Sequence, residues 1–86
     1  MSVIQTMEFL ARNNEGALFV SGHDSAIEGA LVRSSGGKPV AVYSIAKIIN
    51  NLCRMGMDEF DAQEYFEYNI RGAYVGKNGP VFLADE

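Results

Sequence analysis

Between Ser44 and Gly56 the apolar residues fall on a single spacing. Ile45, Ile48, Ile49, Leu52 and Cys53 recur at intervals of three and four, and Lys47, Asn50, Asn51 and Arg54 fill the gaps. A half-buried strand alternates every second residue, so this segment is an amphipathic helix with one face to bury. Ser44 stands where a hydroxyl caps the first turn, and Gly56 stands where the helix closes. The chain around it has 86 residues, 48% of them hydrophobic and 21% charged, which is enough for one core and not for two. Residues 1–86 therefore read as a single domain.

Two further helices flank this one in sequence. Ser2 and Gln5 have the spacing of a capping box, and Val3, Ile4, Met7, Leu10 and Ala11 form an apolar stripe behind it. The polar run from Arg12 to Glu15 ends that helix, with Gly16 expected in the left-handed conformation. After Gly56, Asp58 caps a third helix extending to about Ile70, with Met57 as the apolar residue before the cap. Ala62, Phe66 and Ile70 share its inward face.

The remaining apolar runs read as strands. Ala17–Val20 is bounded by glycines. Ile27–Arg33 is ambiguous between helix and strand, but the Gly-rich turn 34–37 and the run Val40–Tyr43 beyond it favour a hairpin. Pro39 fits the start of its strand or a sheet edge, where its missing N–H does no harm. Ala73–Val75 and Val81–Leu83 are separated by a loop containing Asn78-Gly79, a hairpin pair that Pro80 weakens. The expected order is α-β-β-β-α-α-β-β, an α+β domain with a mostly antiparallel sheet covered by helices.

Charge separates along the chain. Residues 1–56 hold four acids and five bases, and residues 57–86 hold seven acids and two bases, for a net charge of -4. Duplex binding needs Lys and Arg to replace counterions on phosphates, so direct nucleic-acid binding is disfavoured. With no basic amphipathic helix and no apolar run of about eighteen residues, neither membrane-surface binding nor a spanning helix is expected. Residues 1–10 carry Glu8 and no base, unlike a signal peptide, and Cys53 is the lone cysteine, which points to the cytoplasm.

No catalytic constellation stands out. His23 with Ser21, Asp24 and Ser25 has the residue types of a triad, but neighbours on one loop rarely converge, and Gly, Asp and Ser are what turns use. Cys53 falls on an apolar helix face and reads as an inert core thiol. One His and one Cys make no zinc site, and the acids lack the spacing of a calcium loop. Asp58 with Asp61, or Glu64 with Glu67, is a weak divalent-ion pattern of low specificity. Gly36-Gly37-Lys38 lacks the spacing of a phosphate loop and the Ser or Thr that follows its lysine. No metal, cofactor or catalytic residue is assigned, and the chain reads as non-enzymatic.

The third helix, 57–70, is the most informative surface. Asp58, Glu59, Asp61, Glu64 and Glu67 lie within ten residues without a base among them. Tyr68 lies about 200° around the helix from the inward Phe66 and shares a side with Asp61, Glu64 and Arg71. A tyrosine among acids suits a protein interface that a basic partner is steered to. The plain alternative is a solvated helix face, whose acids simply favour the positive end of the helix dipole.

From Pro39 to Leu83 the chain resembles a family of small uncharacterised proteins of phages and prophage-bearing bacteria. The residues that carry the likeness are Gly56-Met57, Glu64-Tyr65-Phe66-Glu67-Tyr68-Asn69, Gly72-Ala73-Tyr74-Val75-Gly76 and Pro80-Val81-Phe82, with Pro39 to Tyr43 before them. The resemblance implies a phage or mobile-element setting in a bacterial cytoplasm and supplies no activity. The leading expectation is a protein-binding module that acts through Asp58, Glu59, Asp61, Glu64, Glu67 and Tyr68 on a host protein or complex, one form being an anti-CRISPR-like inhibitor. The alternatives are a small-ligand binder or enzyme using the His23 loop, and a homo-oligomer paired through sheet edges.

Overall fold

The computed structural model describes residues 2–33 and 37–84. Helix α1 (Val3–Asn13) leads through a short 3-10 turn (Asp24–Ala26) into strand β1 (Ile27–Leu31). Strand β2 (Val40–Ser44) runs straight into α2 (Ile45–Arg54), and α3 (Glu59–Tyr65) continues as a π-helical turn over Phe66–Arg71. Strand β3 (Val81–Leu83) closes the chain. The result is an α+β fold whose elements follow the expected order, with three of the five expected strands formed among the described residues.

Each helix starts as its local sequence dictates. The Ser2 hydroxyl accepts the Gln5 N–H at 3.1 Å while Gln5 Oε1 accepts the Ser2 N–H at 2.9 Å, completing the capping box. Ser44 accepts from the Lys47 N–H, and Asp58 accepts from the Asp61 N–H. At the end of α2, Gly56 donates to Cys53 O and Met57 to Leu52 O, with Gly56 at φ +108°, which is a Schellman closure. The end of α1 differs from expectation. Gly16 is not left-handed; Asn14 ends the helix and its Oδ1 accepts the Gly16 N–H at 3.1 Å. The inward stripe of α1 is also rotated: Thr6 and Leu10 are buried, whereas Ile4 and Ala11 face outward.

The sheet has the order β1-β2-β3, antiparallel between β1 and β2 and parallel between β2 and β3. It is mixed rather than mostly antiparallel. Both α2 and α3 lie between β2 and β3, and a connection of that length permits a parallel crossover where a short turn would not. A bulge between Ile27 and Gly29 displaces Glu28, whose carboxylate pairs with Lys47 on α2. The expected strand Ala17–Val20 lies outside the sheet, its N–H groups at Leu18 and Val20 being taken by Asn78 O and the Tyr43 hydroxyl. Ala73–Val75 is likewise not a strand, and no hairpin forms at Asn78-Gly79; Gly79 instead donates to Gly76 O in a compact loop. The turn expected at 34–37 lies largely outside the described residues.

All three helices meet Ala41 and Tyr43 of the central strand in one core. Leu10 comes from α1, Ile48 and Leu52 from α2, and Ala62 from α3, followed by Phe66 and Ile70 of the π turn. Phe82 on β3 packs T-shaped against the Phe66 ring at 5.2 Å between centroids and tilts against Tyr43 at 6.1 Å. These three rings fix the last helix to the sheet, and that contact decides which way the acidic residues face.

Candidate functional site

Helix α3 and its π turn bury only a narrow stripe: Ala62, Phe66 and Ile70. Everything else on the element faces out. Asp58, Glu59, Asp61, Glu64, Glu67 and Tyr68 are all exposed, Tyr68 at 79%. The six residues expected at a protein-binding face therefore share one accessible element, but their local roles differ.

Asp58 is engaged in capping, with its Oδ1 2.8 Å from the Asp61 N–H. Glu59 and Asp61 occupy the first turn, where the helix dipole favours acids. Glu67 pairs with Arg71 at 3.5 Å, and the Arg71 guanidinium also lies 5.1 Å from the centre of the Phe66 ring. Among the described residues, neither Asp61 nor Glu64 has a cation within ion-pair distance.

The face also carries a residue that the acidic pattern does not single out. Phe60 is 68% exposed, although it is a large apolar ring. The signal for it is the spacing of Phe60, Glu64 and Tyr68 at successive intervals of four, about 200° away from the Ala62, Phe66 and Ile70 stripe. Tyr65 is partly exposed beside them. Beside this face, α2 and α3 enclose a groove of about 940 Å³ with Ile45, Ile49, Cys53 and Phe66 in its wall. Glu59 and Glu67 border that groove; Asp58, Asp61, Glu64 and Tyr68 do not. Cys53, expected as a core thiol, is half-buried at this wall.

The His23 loop is built differently from a catalytic site. His23 is 5% exposed, and its Nδ1 lies 3.3 Å from Asn51 Nδ2 on α2. Arg54 donates to Asn51 Oδ1, so the amide nitrogen of Asn51 is the end that faces the ring, and Nδ1 accepts. Burial pushes the imidazole below its ordinary value, toward the neutral form. Asn51 also donates to Ser25 Oγ, while Asp24 is exposed. The Tyr43 hydroxyl is occupied by the Val20 N–H. This geometry anchors a loop to α2. None of the three described clefts is lined by His23 or Asp24.

Among the described residues no three His, Cys, Asp or Glu side chains cluster as a metal site, and no helix is long and apolar enough to cross a membrane. Comparison of the chain with known protein families, curated proteins and solved structures finds no match in any of the three.

Proposed function

We propose that this protein binds a basic protein surface through the outer face of α3 and its π turn. The observation that carries the reading is the pair of exposed aromatic rings, Phe60 and Tyr68, on an element that also exposes Asp58, Glu59, Asp61, Glu64 and Glu67. Acids alone are explained by solubility and by the helix dipole. Exposed rings at helical spacing are not, because aromatic residues are the usual anchors of interfaces. Carboxylates around those anchors favour a partner rich in Lys and Arg and speed its approach.

In the phage or mobile-element setting that the resemblance implies, such a partner is a host protein or complex, and a nucleic-acid-processing machine offers basic surfaces of this kind. Inhibition by occupying such a surface, as an anti-CRISPR-like protein does, is one form of the proposal. At a net charge of -4 the mimicry of nucleic acid is confined to one helix.

The test is affinity capture from a bacterial host lysate with native protein and with Glu64→Lys/Glu67→Lys. A partner that native protein retains, and that the double variant loses while folded, supports the reading. Equal capture by both, or release unaffected by salt, overturns it.

A further inference from the structure

The chain carries seven Lys and Arg residues, and four of them converge on two adjoining clefts at the other end of the strands from the α2 start. Arg33, Lys38 and Lys77 line a cleft of about 710 Å³ where the chain leaves β1, approaches β2 and passes through the loop at 76–78. Arg33 and Gly76 also line the adjoining cleft, together with Arg71. Among the described residues, no acid lines either cleft. We propose that the cleft of Arg33, Lys38 and Lys77 binds a small, multiply charged phosphorylated anion.

The charge pattern motivates the class of ligand. A chain with net charge -4 gathers three cations around one concavity, where they repel one another unless an anion lies between them. A single carboxylate balances one of the three. A phosphate monoester or a diphosphate carries two or more negative charges and several acceptor oxygens, matching lysine point charges and a guanidinium fork. The acidic remainder of the protein repels an extended polyanion, which favours a compact ligand over a nucleic-acid strand. The volume lies in the range of small-molecule sites, about 300–1,000 Å³.

Hydrogen bonds within the chain hold the frame of the cleft. Asn14, only 4% exposed, donates from Nδ2 to Pro39 O at 3.0 Å and to Asn78 Oδ1 at 3.1 Å, and accepts the Gly16 N–H. One side chain thereby ties the end of α1 to the start of β2 and to the 76–78 loop. Arg33 donates to Gly76 O at 2.6 Å and joins the fourth wall. Gly16, Gly37 and Gly76 line the space without Cβ atoms, so a phosphate can approach the backbone closely. No helix follows Lys38 directly, so this is not a phosphate loop of the nucleotide-hydrolase kind; the cations come from three separate parts of the chain.

The cleft uses none of the six residues of the acidic face, so either proposal can fail alone. The test is a titration of the full chain with inorganic pyrophosphate at constant ionic strength, followed by amide chemical shifts. Saturable shifts confined to Gly16, Gly37, Gly76, Lys77 and Asn78, half-complete below about 1 mM, support the site. Lys38→Ala/Lys77→Ala should raise the dissociation constant about tenfold or more, Lys77→Arg should retain binding, and Arg12→Ala, outside the cleft, should leave it unchanged. Linear shifts that acetate reproduces, or a double variant that binds as native protein does, would overturn the proposal. Tighter binding of a ten-nucleotide RNA than of pyrophosphate would also overturn it, replacing the small ligand with a strand.

Discussion

The hydroxyl of Tyr43 accepts the backbone N–H of Val20 at 2.8 Å inside the core, so a side chain of the central strand satisfies a segment that pairs with no strand. Removing the hydroxyl leaves that N–H buried without its acceptor while keeping the ring against Phe82. Tyr43→Phe should therefore lose about 1–3 kcal/mol, the cost of an orphaned buried donor, in denaturant titration. Amide exchange should accelerate most at Val20.

The same residue makes stability fall at high pH. Burial, reinforced by nearby Asp24 and Tyr74 and only partly opposed by the Val20 hydrogen bond, pushes the phenol up to about 12. An unfolded tyrosine titrates near about 10. Between the two values the folded state holds the extra proton, so stability is full below about pH 10 and is lost as pH rises through about 12. Chemical denaturation between those limits should show a downward slope that Tyr43→Phe reduces.

His23 acts in the opposite pH range. Its lowered folded pKa means that the unfolded chain binds the proton first as pH falls below the ordinary histidine value of about 6.5. The stability it confers is present above that value and is lost as pH drops through the folded one. Protonation at Nδ1 also opposes the Asn51 N–H that now points at it. Thermal melts at descending pH should show the loss, and His23→Gln, which keeps an acceptor and cannot titrate, should flatten it.

What could be read from the chain and what could not divide by distance in sequence. The caps at Ser2, Ser44 and Asp58 each join residues three apart, so local spacing reveals them. The Gly56 closure and the Ala62, Phe66 and Ile70 stripe are local for the same reason. The parallel placement of β3 depends on Phe82 meeting Tyr43 and Phe66, partners far apart in sequence, and no short-range pattern contains it. The fate of Ala17–Val20 turns on a hydroxyl that lies 23 residues away. The acidic face was legible because its members all fall within the single short stretch 58–68. The basic cleft was not, because Arg33, Lys38 and Lys77 meet only once Asn14 has drawn the loops together.

Two glycines test backbone geometry by different routes. Gly56 stands at φ +108° with open space around it, so Gly56→Ala should cost about 1–2 kcal/mol from conformation alone, and Gly56→Asn less. Gly79 needs no such conformation, but a Cβ there would lie 2.7 Å from the Tyr74 carbonyl oxygen. That oxygen is backbone and yields only if the loop moves. Gly79→Ala should therefore destabilise the chain and also shift the amides of Gly76 to Asn78, whereas Gly56→Ala should leave those amides unchanged.

The exposed rings of α3 separate a binding role from a packing role. Phe66 and Tyr68 are two residues apart, yet one is buried against Phe82 and the other is in solvent. If Phe60 and Tyr68 serve a partner, truncating them costs the isolated protein little: Phe60→Ser and Tyr68→Ser should each change stability by no more than about 0.5 kcal/mol. Phe66→Ala, which opens the core between helix and sheet, should cost about 3–5 kcal/mol. Denaturant titration of the three variants measures the contrast directly. A loss above about 1.5 kcal/mol for either outer ring would show that it stabilises the fold of the free chain. Its exposure would then have a structural cause, and the aromatic anchor of the proposed interface would be lost with it.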